Sequence, residues 1–185
     1  MFDYLTKESA PVESLPQIER SLQTYGFLPK LHAVMANAPA AYQAYLDNFA
    51  LFESATTLSP LEQQIVFQTS NYENRCHYCI PGHIYILKTA GMPEDIIEAL
   101  REGKPLPDPR LDALRTFTRQ LIDLRGHLSD EQLNTFIAAG YTPRQALEVL
   151  VGLGAKPNSN FANAMAGTEL DGPVQQYAWT HPDQR

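Results

Sequence analysis

The sequence predicts an all-α protein, and three features carry that prediction. Helix punctuation recurs along the whole chain, with Pro39, Ser59-Pro60, Pro93, Ser129 and Thr142-Pro143 each standing ahead of apolar residues at helical spacing. No stretch of useful length shows the period-two alternation of a half-buried strand. Apolar residues make up 44% of the 185 and charged residues 19%, a globular balance in a chain that fits one domain and can bury a core without disulfide staples.

The elements follow in order. Leu15, Ile18 and Leu22 recur at helical spacing over 14–25, and Gly26 stops that helix. A short helix is expected over 29–37. From Pro39 to about Ala55 the stripe Ala40, Tyr42, Tyr45, Leu46, Phe49 and Phe52 marks a longer one, with Pro39 in the first turn. Ser59 caps the next, Pro60 loses no needed donor, and Glu62 at N3 completes a capping box, so that helix runs to about Asn74. Pro81 belongs only in the first turn of the helix that holds His83 to Ala90 and ends at Gly91. Pro93 opens 93–102, and GKPLPDP over 103–109 is the best internal boundary. Helices are then expected at 110–125, at 129–139 under Ser129, and from Pro143 to about 154, with a break near Pro157 before helix resumes to 168. The polar residues 172–185 are expected to fray or to lie on a neighbouring subunit. The chain thus reads as a single domain, with an N-terminal half 1–103, a helical half 110–171 and a tail.

Fourteen Lys and Arg against 21 Asp and Glu give a formal charge of −7. The cations are scattered, so neither a nucleic acid nor an anionic membrane surface is an expected partner. No apolar run reaches the roughly 20 residues that cross a bilayer. The opening residues carry Asp3 and Glu8 and lack a basic region followed by an apolar one, so no signal peptide is expected and the cytoplasm is the expected location.

Both cysteines fall within four residues, Cys76-His77-Tyr78-Cys79, at the start of a helix. His83 lies four residues after Cys79 and shares its helix face, which puts a base beside a thiol. Helix N-terminal amides favour the thiolate as well. Lowering a thiol pKa from about 8.5 to about 6.5 raises its ionised fraction at pH 7 from roughly 3% to roughly three quarters. Residues i and i+3 at a helix start bring their Cα atoms to about 5–6 Å, within reach of a disulfide. A sulfenic acid on one sulfur would then be captured by the other, closing a two-electron cycle. Cys79 is assigned as the attacking sulfur, and Cys76 is left to resolve and to meet the reductant. Two blander readings compete: inert core packing of the pair, and a metal site built from Cys76, Cys79, His83 and His77. Structural zinc usually draws a second ligand pair from elsewhere, whereas His32, His127 and His181 are isolated, so no metal is expected.

The segment LSPLEQQIVFQTSNYENRCHYCIPGHIYILKTAG resembles the core of the carboxymuconolactone decarboxylase superfamily, specifically its AhpD-like alkylhydroperoxidase branch. YGFLPKLHAVMANAPAAYQAYLDNF resembles the lead-in helices. LSDEQLNTFIAAGYTPRQALEVLVGLGAKPNSNFANAMAGTELD is similar to the second helical half of peroxidase-related members. The resemblance implies a helical bundle assembled as a homotrimer or hexamer. It also implies reduction of a small organic hydroperoxide without a bound cofactor, and re-reduction by a dithiol such as a lipoyl or thioredoxin-like carrier. It maps the redox pair onto Cys76 and Cys79 and the relay histidine onto His83. Where the family's best-known arrangement has a histidine directly before the second cysteine, this chain has Tyr78, with His77 one place earlier as a possible auxiliary. The relay glutamate maps onto Gln64, which cannot shuttle a proton. Glu73 beside the cysteine loop is the favoured substitute, Glu62 being explained by its capping box, and Gln64 is left to orient a water or His83. The expected function is a thiol-dependent alkylhydroperoxidase. A redox sensor or disulfide oxidoreductase without peroxide turnover is the rival reading, and lactone decarboxylation, which needs no cysteine pair, fits less well.

Overall fold

A computed structural model describes residues 2–185, and among these there are helices and no strand. Nine α-helices run in order: α1 Leu15–Tyr25, α2 Lys30–Met35, α3 Pro39–Ala55, α4 Pro60–Glu73, α5 Cys79–Thr89, α6 Glu94–Arg101, α7 Pro109–Asp123, α8 Asp130–Ala138 and α9 Pro143–Ala166. Short 3₁₀ segments lie at Val12–Ser14, Gly172–Tyr177 and Pro182–Gln184. No described helix is long and apolar enough to cross a membrane.

The helix starts form as their residue types dictate. Ser59, Ser129 and Thr142 each accept from the N3 backbone amide, while Glu62, Gln132 and Gln145 reach back to the cap amide. Asp108 accepts from the amides of Arg110 and Leu111 and sets the start of α7 just after the GKPLPDP turn. Gly26 adopts φ 74° at the end of α1, the left-handed conformation glycine supplies without steric cost.

Helices α4 and α9 are the centre of the molecule. α4 packs against α5, α7 and α9, and α9 also lies along α3. One apolar cluster fills the space among α4 to α9, with Phe67, Leu114, Phe117, Phe136 and Val149 fully or nearly buried. A second gathers Ile18, Leu31, Tyr42, Tyr45 and Leu46 from α1, α2 and α3 around Cys76, Tyr78 and Cys79. The cysteine pair thus sits where the N-terminal helices meet the central pair.

Two expectations are corrected. α9 does not break at Pro157 but continues from Pro143 to Ala166 with the proline inside it. Proline removes its own amide donor and crowds the carbonyl four residues earlier, a cost that the packing of the turns on either side offsets. The tail neither frays nor leaves the chain. Trp179, buried, donates its indole N–H to the Arg101 carbonyl at 3.0 Å, and Arg185 pairs with Glu102 at 2.9 Å. Its polar composition conceals the apolar anchors Val174 and Trp179.

The contact between α3 and α9 depends on Gly152, where a Cβ would lie 2.7 Å from Cζ of buried Phe52. Gly152→Ala is expected to cost about 1–3 kcal/mol by overpacking. Thermal unfolding followed by circular dichroism checks this, at about 2–4 °C per kcal/mol for a chain of this size.

Candidate active site

The turn that carries the cysteines is fixed by the end of α4. Arg75 takes φ 52°, the amide of Cys76 donates to the Asn71 carbonyl at 2.9 Å, and the amide of Arg75 donates to the Tyr72 carbonyl at 2.9 Å. This is the Schellman pattern, with arginine where glycine is usual. It turns the chain so that Cys76 lies just ahead of α5 and Cys79 is the first residue of that helix.

The two thiols are free and buried, with their sulfurs 2.6 Å apart. The backbone amide of Cys79 donates to the Cys76 sulfur at 3.2 Å, so the amide at the helix start serves Cys76 and not Cys79. Cys79 is served by side chains of α9: Asn160 Nδ2 donates to its sulfur at 3.1 Å and Asn163 Nδ2 at 3.3 Å. Asn160 is held in turn, donating to Asn71 Oδ1 at 2.9 Å and accepting from Asn74 at 2.9 Å. Asn163 keeps its amide on the sulfurs although its buried Oδ1 has no partner among the described residues.

These contacts separate the two sulfurs electrostatically. Burial pushes the Cys79 thiol up, but the Cys76 thiol donating to it, the nearby Lys156 charge and the two asparagine amides together pull it below the ordinary thiol range. Cys76 is pushed upward by burial and by its neighbour's charge. Of the two sulfurs, Cys79 is thus the one whose surroundings favour the thiolate.

Cys79 lines a cavity of about 340 Å³ whose walls are mostly apolar, among them Tyr25, Phe27, Tyr45 and Phe49. Cys76 does not line it, so the sulfur reachable through the cavity is Cys79. His32 lines the cavity too and is held neutral by burial, its pKa lowered to about 4. Its Nδ1 meets the Tyr42 hydroxyl at 2.9 Å, and that hydroxyl donates to the Gln17 carbonyl at 3.2 Å. His32 Nδ1 is therefore the donor of the pair. Asp171, Pro173 and Val174 of the C-terminal segment close one side of the cavity.

The structure brings Gln64 and His83 together, His83 Nδ1 lying 2.7 Å from Gln64 Oε1. His83 forms no hydrogen bond to either sulfur; its Nε2 instead meets Lys156 Nζ at 3.1 Å. Tyr78 donates its hydroxyl to the Asp171 carboxylate and accepts from the Leu31 amide at 3.3 Å, tying the cysteine turn to α2 and to the tail. His77 turns away from the cavity, its Nε2 on the Thr168 carbonyl at 2.8 Å. Glu73, favoured from the sequence as the relay carboxylate, is not at the site. It lies among the charges of α7, where burial and then Asp123 raise its pKa. A side chain on the last turn of α4 points wherever the helix phase sends it, and closeness in sequence to Cys76 does not bring it back.

Lys156 had no reading in the sequence, and the break expected near Pro157 separated it from Asn160 and Asn163. Residues 156, 160 and 163 follow the i, i+4, i+7 pattern of a single helix face, and treating Pro157 as a break dispersed that signal. No group of three or more His, Cys, Asp or Glu among the described residues is arranged to hold a metal ion.

The helical bundle has the AhpD-like fold. Solved structures carry that assignment. An uncharacterized peroxidase-related protein from Ralstonia eutropha JMP134, described as an alkylhydroperoxidase AhpD core, superposes with a TM-score of 0.78 at 16% identity, covering 94% of this chain and 93% of that one. A peroxidase-related protein from Silicibacter sp. TM1040 gives 0.74 at 15% identity over 89% and 87%. A cysteine-to-alanine variant of the debrominase Bmp8 in complex with 2,3,4-tribromopyrrole gives 0.77 at 16% identity over 95% and 94%. No protein-family model and no curated protein matches the sequence.

Alkylation of the reduced protein by iodoacetamide is expected to modify Cys79 first, with a rate that rises with pH through a midpoint below that of an ordinary thiol. Asn160→Ala removes a donor to the charged form only, so its midpoint moves upward. Peptide mapping of the modified thiol across pH 5–9 measures both.

Proposed function

We propose that this protein is a thiol-dependent peroxidase that reduces small apolar hydroperoxides. The observation that carries the reading is a dithiol in which the sulfur pulled toward the thiolate is also the one that lines an apolar cavity. Cys79 thiolate attacks the terminal peroxide oxygen, the O–O bond breaks, and the alcohol leaves with one proton. Cys76 then displaces water from the sulfenic acid, giving the disulfide. The sum is one hydroperoxide and two thiols to one alcohol, one water and one disulfide. A dithiol reductant, of the lipoyl or thioredoxin-like class, returns the pair to the reduced state, and no bound cofactor is needed. Apolar walls favour an alkyl or aryl hydroperoxide over hydrogen peroxide.

Self-assembly into a homotrimer or hexamer belongs to the same proposal. Leu147, Leu150, Phe161 and Met165 fall on one face of α9 and are 68%, 47%, 53% and 69% exposed, a stripe that a second copy would cover.

One observation favours a second substrate class. Aromatic rings wall much of the cavity, and one of the similar structures is a debrominase with a brominated pyrrole. Reductive debromination spends the same two electrons: one aryl bromide and two thiols give the arene, hydrogen bromide and the disulfide.

Mixing the reduced protein with one equivalent of cumene hydroperoxide is expected to consume both thiols and release cumyl alcohol, with turnover when dihydrolipoamide is supplied. Cys79→Ser abolishes the reaction, and Cys76→Ser stops at a sulfenic acid that dimedone traps. Wild type that keeps two free thiols defeats the peroxidase reading, and bromide release from a bromopyrrole under the same conditions would establish the second one.

A further inference from the structure

Lys156 is the only buried lysine among the described residues, 1% exposed, and it lines the same cavity as Cys79. Its ammonium lies 5.2 Å from the centre of the Phe67 ring and 3.1 Å from His83 Nε2. Burying a charge in such surroundings is costly unless something nearby answers it.

While Lys156 is an ammonium, His83 is not free to answer Cys79. Gln64 Oε1 takes the hydrogen on Nδ1, and the Nε2 lone pair takes a hydrogen from Lys156. With Lys156 as ammonium, the opposite tautomer would set the Nε2 hydrogen against the Lys156 hydrogens, two donors face to face. Both imidazole nitrogens are then occupied; Lys156 likewise makes no direct hydrogen bond to a sulfur, but it lines the same cavity as Cys79. Lys156 keeps two further N–H groups. With Gln64 uncharged and His83 neutral, the buried cluster is balanced as ammonium with thiolate or as amine with thiol.

We propose that Lys156 is the acid–base group of this site, taking the proton of the Cys79 thiol and delivering it to the substrate oxygen that departs, while His83 and Gln64 position its amine. For the substrate step this rests on the peroxidase reading; for the thiol step it does not. In the resting state a proton moves from Cys79 to Lys156, giving thiolate and ammonium. The thiolate attacks the hydroperoxide, Cys79 becomes a sulfenic acid, and the ammonium protonates the alkoxide, leaving alcohol and neutral amine. Cys76 forms the disulfide and water. Reduction by the dithiol restores both thiols, and Lys156 takes its proton back from Cys79, so one proton cycles between sulfur, amine and product.

The groups facing Lys156 are compatible with this cycle. α5 and its leading turn present Cys76, Cys79 and His83, and α4 presents the Phe67 ring. Elsewhere on the cavity wall, His32 and Tyr45 are held neutral by burial, and Asp171 is engaged by the Tyr78 hydroxyl and the Lys30 amide.

Three measurements test the proposal. In Lys156→Met and Lys156→Ala, each checked for helix content, the Cys79 alkylation midpoint is expected to rise by more than one pH unit. Peroxide reduction should fall by about 10²–10⁴-fold, the usual worth of a positioned general acid. Ethylamine added to Lys156→Ala should restore rate in proportion to its concentration, which a packing role would not produce. In the unmutated protein, the Lys156 side-chain NMR resonance should titrate at lower pH once the disulfide forms and the counter-charge is gone. A wild-type alkylation profile in folded Lys156→Met, or a Lys156 resonance indifferent to disulfide formation, overturns the proposal. The alkylation and NMR readouts need no peroxide, so failure of cumene hydroperoxide as substrate counts against the proposed function and not against the role of Lys156 at the thiol.

Discussion

A charged sulfur inside a helical bundle must be solvated by protein, and the arrangement of α9 against the start of α5 answers that requirement. Cys79 is 4% exposed, so water supplies little of its hydration. Asn160 and Asn163 present amide hydrogens in place of that water, and each is a fixed dipole that need not reorganise when charge moves. The cost appears elsewhere, in an Asn163 carbonyl left without a partner and an arginine in a left-handed turn at position 75. Both lie within a few residues of the sulfurs or directly against them, where strain accumulates at sites held for a purpose.

The continuity of α9 follows from the same need. Residues 156, 160 and 163 reach one point only if helical phase is kept from the first to the last of them, and a real break at Pro157 would rotate the asparagines away from the lysine. The proline forfeits one hydrogen bond, and packing of α9 against α3 and α4 holds the phase on either side. Gly152 belongs to that packing, because its missing side chain lets Phe52 come close enough to fix the helix.

Most of the fold was legible in the sequence because helix ends announce themselves locally. Ser59 with Glu62 and Ser129 with Gln132 are short-range hydrogen-bond exchanges that need no tertiary information. The thiol pair was legible for the same reason. What escaped was decided by phase and by distant partners. Glu73 is three residues from Cys76 and yet faces α7, whereas Lys156 is far away in sequence and stands beside His83. The expected helix-start amide for Cys79 also misled, since an amide bonds the sulfur that lies one turn before it, and at this turn that sulfur is Cys76. The tail was misread because composition averages over residues, while one buried indole and two arginine pairings suffice to seat it.

The amide at position 64 then has a physical reason. A glutamate there would place a carboxylate against His83, charge the imidazole, and set it facing an ammonium at 3.1 Å in a medium where like charges repel strongly. Gln64 accepts the same hydrogen without introducing that charge. His83 stays neutral, its pKa held well down by burial and then by Lys156, and its second nitrogen remains free to hold the lysine. In the proposed cycle, uncharged Gln64 and cationic Lys156 are two halves of one electrostatic arrangement, which puts positive charge on the cavity wall where a departing oxyanion would form. On that proposal the ammonium keeps the balance that a carboxylate beside an imidazolium would otherwise supply, with the Cys79 thiolate as its counter-ion.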